Sequence, residues 1–279
     1  MINILIENRV YCHYEIIESV ILKKHIILNI DPNIETTIFL NTLSCSSFED
    51  YIKSKYSNVK FGTTKNYKYY INCTKYDKDC IYLDKNKGSN KKYIAHHITD
   101  NLKKNPNVYF LTPLSKERYF YADILPFSNK KINSDIPVYV IQGSRHRRCD
   151  SLLIKILEKK YKYNFMIKIL GRWDLDKSLE KFRDKLILKN DLNFVDFHRE
   201  FLDCYCILPL ITNKSHSCYY KNKMTSTINY AKGYKLKCLI DKDLQNIYNL
   251  DNVVIYNDIT DITESFEKTL ENFYNCIQE

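Results

Sequence analysis

Residues 142–148, Gln-Gly-Ser-Arg-His-Arg-Arg, set one glycine and four cationic side chains directly behind the apolar run 138–141. Guanidinium groups are forked donors that match phosphate, and Gly143 lets the chain turn sharply after a strand. Leu152, Leu153, Ile156 and Leu157 follow at helical spacing. Strand, basic turn and helix start thus come in the order that seats an anion. A second stretch, Lys223-Met224-Thr225-Ser226-Thr227, puts a lysine and three hydroxyls at an expected helix start, at the end of another strand of the same sheet. Two such stations on one sheet edge suit a diphosphate. The residues expected to hold it are Gly143, Ser144, Arg145, Arg148, Lys223, Thr225, Ser226 and Thr227. Neither a full GxGxxG nor a GxxxxGK[ST] is present, which excludes the dinucleotide fingerprint and the P-loop.

Gly171 and Arg172 end the next strand, and Asp196 and His198 follow the one after; these are where a base or ribose could be held. For proton transfer near neutral pH the candidates lie in the first half: His13 and His97, with Glu7 third. Asp174 with Asp176, and Asp241 with Asp243, form D-x-D strings that elsewhere hold Mn²⁺ or Mg²⁺. Neither stands in an acidic setting, so no metal is expected. GxSxG, HExxH and the kinase motif set are absent.

The 279 residues carry 43 Lys and Arg against 33 Asp and Glu, a net charge of +10. Abundant Lys, Asn, Ile and Tyr with 5 Gly mark an AT-biased gene, and that bias inflates the charge. A solvated lysine-rich surface is therefore favoured over a polyanion partner. Nucleic-acid binding ranks behind the other readings: no helix-turn-helix, RRM or zinc-finger pattern occurs, and the tyrosines do not cluster with the lysines. The 10 cysteines are scattered, several inside apolar runs, and no CxxC occurs; reduced, buried thiols and a cytosolic protein are expected. The opening residues are too short and polar for a secretory leader, and no apolar run approaches the ~18 residues of a membrane span.

Periodicity predicts strands at 2–6, 25–30, 36–40, 67–73, 93–98 and 108–111, with helices at 14–22 and 48–56 and a polar loop at 84–92. The turn-forming, lysine-bearing stretch 126–136 marks a boundary, giving halves at 1–133 and 134–279. In the second half, strands are predicted at 138–141, 165–170, 194–195, 205–208, 236–240 and 253–256. Helices are predicted at 151–161, around 179–188, from Asp196 as cap, at 225–232 with Gly233 as its C′ residue, at 244–248 and at 262–277, with a polar loop at 212–223. Alternating strands and helices mean an α/β fold with mostly parallel sheets.

The order of elements in residues 136–279 resembles the C-terminal nucleotide-sugar-binding domain of GT-B glycosyltransferases. The residues that carry it are the basic Gly turn, ILGR at 169–172, the FVDFHREFLD helix, YCILPLI at 205–211 and KMTSTINYAKGYKLKCLID at 223–241. The resemblance is one of pattern. It implies two Rossmann-like domains facing a cleft, with the C-terminal helix crossing back to the first domain. It implies a nucleoside-diphosphate sugar as donor substrate, no cofactor, and an acceptor-side first half supplying the base, the acceptor being a glycan, a protein or a small molecule. Metal-independence is implied too, because cations and a helix end neutralise the leaving diphosphate. One departure stands out: many retaining members carry paired glutamates around the short helix, where this chain has Lys223 and Thr225 to Thr227. A catalytically degenerate module of the same fold is the rival reading. The compact, AT-biased style resembles proteins of large DNA viruses, which would place the chain in host cytoplasm or virion.

Overall fold

The computed structural model describes residues 1–8, 14–43, 45–75, 90–116, 118–119, 122, 124–126, 134–175 and 177–278. They form two compact units, Met1–Ile124 with Lys221–Met224, and Leu125–Tyr220 with Thr225–Glu279. The expected loop at 84–92 lies largely outside the described residues, as do His13 and Asp176.

The first unit runs β1 (Ile2–Asn8), α1 (Tyr14–Leu28), β2 (Thr36–Thr42), α2 (Ser46–Lys55), β3 (Val59–Phe61), β4 (Tyr69–Lys75), β5 (Lys91–Ala95), α3 (Asp100–Lys103) and β6 (Val108–Phe110). Its strands form one parallel sheet in the order β3-β2-β1-β4-β5-β6. Ile4, Ile6, Ile38, Leu40 and Ile71 share one face and are at most 1% exposed. Phe48 of α2 packs on that side, against Phe61 of β3 and Tyr14 of α1. The strand expected at 25–30 is instead the end of α1. Ile27 and Leu28 continue the buried stripe of Ile16, Ile17, Val20 and Ile21, and the helix stops only where Asn29 turns left-handed at φ 52°. The three-residue edge strand β3 carries too little pattern to be read from sequence.

The second unit runs β7 (Val138–Gln142), α4 (Asp150–Glu158), β8 (Met166–Leu170), α5 (Lys177–Glu180), β9 (Leu186–Lys189), α6 (Phe194–Arg199), β10 (Cys206–Ile207), α7 (Asn213–His216), α8 (Cys218–Lys221), α9 (Ser226–Gly233), β11 (Lys237–Asp241), α10 (Lys242–Tyr248), β12 (Val253–Tyr256) and α11 (Ile262–Gln278). The sheet order β12-β11-β10-β7-β8-β9 repeats that of the first sheet, with the switch point between β7 and β10. Several expectations are corrected here. The segment around 179–188, predicted as helix, ends in strand β9, because Leu186 and Leu188 pair with Ile167 and Ile169 of β8. Residues 194–195, predicted as strand, open helix α6, and its cap is Asn193, not Asp196: the Asn193 side chain accepts from the Asp196 N–H at 3.0 Å. The left-handed residue after α9 is Lys235 at φ 51°, while Gly233 stays within the helix. The polar stretch 212–223 contains α7 and α8 rather than open loop. Helix α11 packs on its own sheet, with Phe266 4.4 Å from Tyr139 between ring centres and the Tyr139 hydroxyl bonded to Thr269 at 2.6 Å. No helix among the described residues is long and apolar enough to cross a membrane.

Candidate functional site

Strand β7 is buried from Val138 to Ile141 and delivers Gln142 to its carboxyl end. Gly143 then adopts φ +106° and Gly171, one strand over, φ +145°. The two glycines lie against each other: a Cβ on Gly171 would stand 2.5 Å from the Gly143 carbonyl oxygen. The buried Trp173 locks the pair, donating from its indole N–H to that oxygen at 2.7 Å. Gly171, expected near a nucleoside, is thus explained first by close backbone approach.

The basic turn is a short 3₁₀ helix, Arg145–Arg147. Its arginines are not equivalent. Arg145 holds Asp150 at 2.6 and 2.8 Å and donates to the Asp174 carbonyl at 3.0 Å. Arg148 is 7% exposed. It donates to the Arg147 carbonyl at 2.7 Å, to the Gln142 carbonyl, and to Thr227 Oγ1 at 3.0 Å. Its Nε finds no acceptor, and no carboxylate pairs with it among the described residues. Burial pushes its pKa from 12.5 down to about 10, against some support from Tyr219. A buried cation without a counter-ion is costly unless an anion arrives.

The two stretches expected to hold an anion meet through Arg148 and Gln142. Gln142 Oε1 accepts from Thr227 Oγ1 at 3.1 Å and from Ser226 Oγ at 3.4 Å, and Thr225 Oγ1 donates to Thr227 at 3.2 Å. Thr225 and Thr227 are buried, so their hydroxyls fasten α9 to β7; Ser226 is half-buried. The first N–H groups of α9 have no partner within the helix. Arg145, His146, Arg148, Asp150, Arg172 and Asp174 line a cavity of about 460 Å³. Ser144 stands half-buried at the start of the 3₁₀ turn, without a side-chain capping bond.

Other expected residues lie elsewhere. His198 is buried, bonds Tyr234 through Nδ1 at 2.8 Å, and packs among Phe194, Phe197 and Tyr230. Burial pushes its pKa down to about 3, which keeps the imidazole neutral within this aromatic packing. Asp196 is engaged by Asn193 at 2.5 Å and Arg199 at 3.2 Å on the surface of α6. Lys223 belongs to the first unit, where it forms an antiparallel bridge with His97. His97 follows β5 and Glu7 stands near the end of β1, both at the carboxyl edge of the first sheet. Sequence reasoning assigns no role to Gln142, Asp150 or Trp173; a glutamine closing a buried strand before glycine is the one signal available. It also passes over Glu15, half-buried in the first turn of α1, whose carboxyl burial pushes up to about 7. Among the described residues no three His, Cys, Asp or Glu side chains gather closely enough to hold a metal ion.

The two α/β units with parallel, Rossmann-ordered sheets have a GT-B-like fold, and one of them carries a basic turn at its switch point. No family profile matches the chain, and no curated protein resembles it in sequence. Solved structures do. A glycosyltransferase from Rickettsia africae aligns over 98% of this chain and 89% of its own, at 10% identity and a TM-score of 0.56. HepE from Anabaena, solved with UDP and glucose, aligns over 100% and 90%, at 11% identity and 0.55. UDP-GlcNAc 2-epimerase from Neisseria meningitidis, solved with UDP-GlcNAc, aligns over 98% and 93%, at 12% and 0.50. Likeness at such identity speaks for the fold alone.

Proposed function

We propose that this chain is a glycosyltransferase that moves a sugar from a nucleoside-diphosphate sugar to a hydroxyl acceptor without a bound metal. The observation that carries the reading is Arg148, a buried guanidinium lacking a carboxylate partner at the end of β7 and lining the 460 Å³ cavity. A diphosphate there gives that charge its counter-ion. Arg145, Arg172 and the N-terminal end of α9 add to the field, which neutralises the leaving diphosphate as the glycosidic bond breaks. Gly143 and Ser144 shape the turn, while Thr225 and Thr227 hold the helix in place. The solved neighbours include HepE in complex with UDP and glucose and an epimerase bound to UDP-GlcNAc, which favours a uridine diphosphate donor. The acceptor hydroxyl loses its proton to a group of the first unit, His13 or His97, with Glu7 third.

One observation favours the rival, a sugar-nucleotide-binding module without turnover: Arg145 is already engaged by Asp150. Isothermal titration with UDP, GDP and ADP, followed by a UDP-release assay on UDP-glucose, UDP-galactose and UDP-GlcNAc with EDTA or Mn²⁺, decides between them. Binding of one diphosphate and metal-insensitive release support the transferase. Binding without release in any acceptor mixture supports the module. Absence of binding at millimolar nucleotide removes both.

A further inference from the structure

The first unit carries its charge unevenly. In a parallel sheet joined by helices, helix ends and strand starts share the amino edge, while strand ends and helix starts share the carboxyl edge. Among the described residues the carboxyl edge holds Glu7, Glu15, Glu49, Asp50 and Asp100 against Lys75 and Lys116. The amino edge reverses this. Lys23 and Lys24 stand in the last two turns of α1, Lys53 and Lys55 at the end of α2, and Lys103 and Lys104 at the end of α3. Asp31 and Glu35 are the acids there among the described residues. An AT-biased gene scatters lysine over both edges, so base composition does not account for the division. The helix dipole favours lysine at helix ends, yet Lys60 lies on β3 and Lys68 just before β4, and Lys92 of β5 reaches Asn107 beside β6 at 2.9 Å.

Lys53, Lys55 and Lys103 are met by Glu49, Glu18 and Asp100. Lys24, Lys60, Lys68 and Lys104 have no carboxylate partner among the described residues. From β3 to β6 the edge runs about 25 Å at the usual strand spacing. The same edge presents apolar side chains to water. Of the large apolar side chains exposed among the described residues, Met1, Leu22, Ile26 and Ile34 lie here, and only Tyr119 and Ile255 lie elsewhere. Leu22 and Ile26 are one turn apart on the outer face of α1. Met1 and Ile34 line a hollow of about 660 Å³ together with Lys24 and Lys60. Partial burial there lowers the Lys24 pKa, and its ammonium donates to the Ile21 carbonyl at 3.3 Å.

Lysines spread along an edge with aliphatic tips among them match an anionic bilayer. The ammonium groups meet headgroup phosphates, and the aliphatic chains enter the boundary with the acyl region. A nucleic acid offers the same charge but gains nothing from exposed Ile and Met. Its usual contacts, arginine forks and stacking rings, are scarce here: Arg118 is the one arginine of the first unit among the described residues. We propose that the amino edge of the first unit docks on the surface of an anionic phospholipid bilayer, with Ile26 and Ile34 dipping into the headgroup layer. This goes beyond the transfer reading and does not depend on it.

The test is flotation of the full chain with phosphatidylcholine vesicles, pure or carrying about a third phosphatidylglycerol, at about 150 mM salt. The melting temperature of each variant is the control for folding. The wild type should float with the anionic vesicles and not with the neutral ones. Lys60→Gln and Lys68→Gln should each weaken partitioning about fivefold. Ile26→Ser should weaken it by about as much, and Ile26→Trp should strengthen it, carrying the apolar arm should the serine variant melt early. Lys162→Gln and Lys214→Gln, at exposed lysines of the second unit, should change it by less than about twofold. A wild type that stays off anionic vesicles overturns the proposal. So does an equal loss in all four lysine variants, which reports net charge alone. Tighter binding to a single-stranded or duplex oligonucleotide in fluorescence anisotropy, unmoved by Ile26→Ser, overturns it in favour of a nucleic acid.

Discussion

Replacing Arg148 by methionine separates a ligand-binding charge from a structural one. The side chain is 7% exposed, and burial lowers its pKa from 12.5 to about 10. That change corresponds to about 3 kcal/mol spent in keeping the group charged inside the fold, present in full at neutral pH because both values lie far above it. Methionine removes this cost and fills similar space. It also takes the Arg148 donor from the Gln142 and Arg147 carbonyls and one of two donors from the Thr227 hydroxyl, each loss costing about 1 kcal/mol. The opposing effects nearly cancel, so the ligand-free variant should melt within a few degrees of the wild type. UDP affinity should fall between tenfold and a hundredfold, since the diphosphate loses the cation it compensates. Differential scanning fluorimetry and isothermal titration read the two quantities. A variant that melts far lower yet binds UDP as tightly per folded molecule would show that Arg148 is a strut, and the argument from its missing counter-ion would be refuted.

Gly171→Ala should destabilise the second unit by more than about 2 kcal/mol in urea titration, because its Cβ meets the Gly143 oxygen at 2.5 Å on top of a strained φ. Gly62→Ala, at φ +127° with nothing within 4 Å, should cost only the backbone strain, roughly 1 kcal/mol. His198 has a folded pKa near 3 against about 6.5 unfolded, so the unfolded chain binds the extra proton and stability falls as pH drops through that window. Between pH 7 and 4.5 this amounts to roughly 2–3 kcal/mol, and His198→Asn should flatten the acid limb by about that much. Lys168 is opposed by burial, yet Cys204, Asp203 and Glu200 hold it above the ordinary lysine value. Its contribution is present below the unfolded pKa and fades as pH rises through the folded one. Lys168→Met should therefore cost stability at pH 7 and less at pH 11.

The second sheet was legible because its central strands are mostly apolar runs closed by glycine: 138–141 ahead of Gln142 and Gly143, and 166–170, interrupted by Lys168, before Gly171. Both glycines adopt positive φ. Where the reading failed, two periods fitted the same residues. His25-Ile26-Ile27-Leu28 looks extended by composition, and only burial shows that Ile26, 62% exposed, lies on the outer face of a helix. Leu186-Ile187-Leu188 sits in a charged stretch that fits a helix until β8 claims it. Arg145 and Arg148, from the expected anion-binding set, line one cavity together with Arg172, which was expected near the nucleoside. Thr227 turns inward because Gln142 and Arg148 give its hydroxyl buried partners, and Thr225 in turn donates to Thr227, a tertiary fact with no local trace. His198 is likewise turned by its helix into aromatic packing with Tyr230 and Tyr234.

Residues 221–224 belong to the first unit although the second has already begun at 125. Ile98 N–H bonds the Asn222 carbonyl at 2.8 Å beside the His97–Lys223 bridge. During synthesis the first unit therefore waits for roughly 100 further residues before His97 is fastened in place, on the order of 5–20 s at ribosomal speed. A nascent chain halted before residue 221 would leave the ribosome with one of its candidate bases unanchored, and a gene fragment cut at 133 would encode an incomplete object.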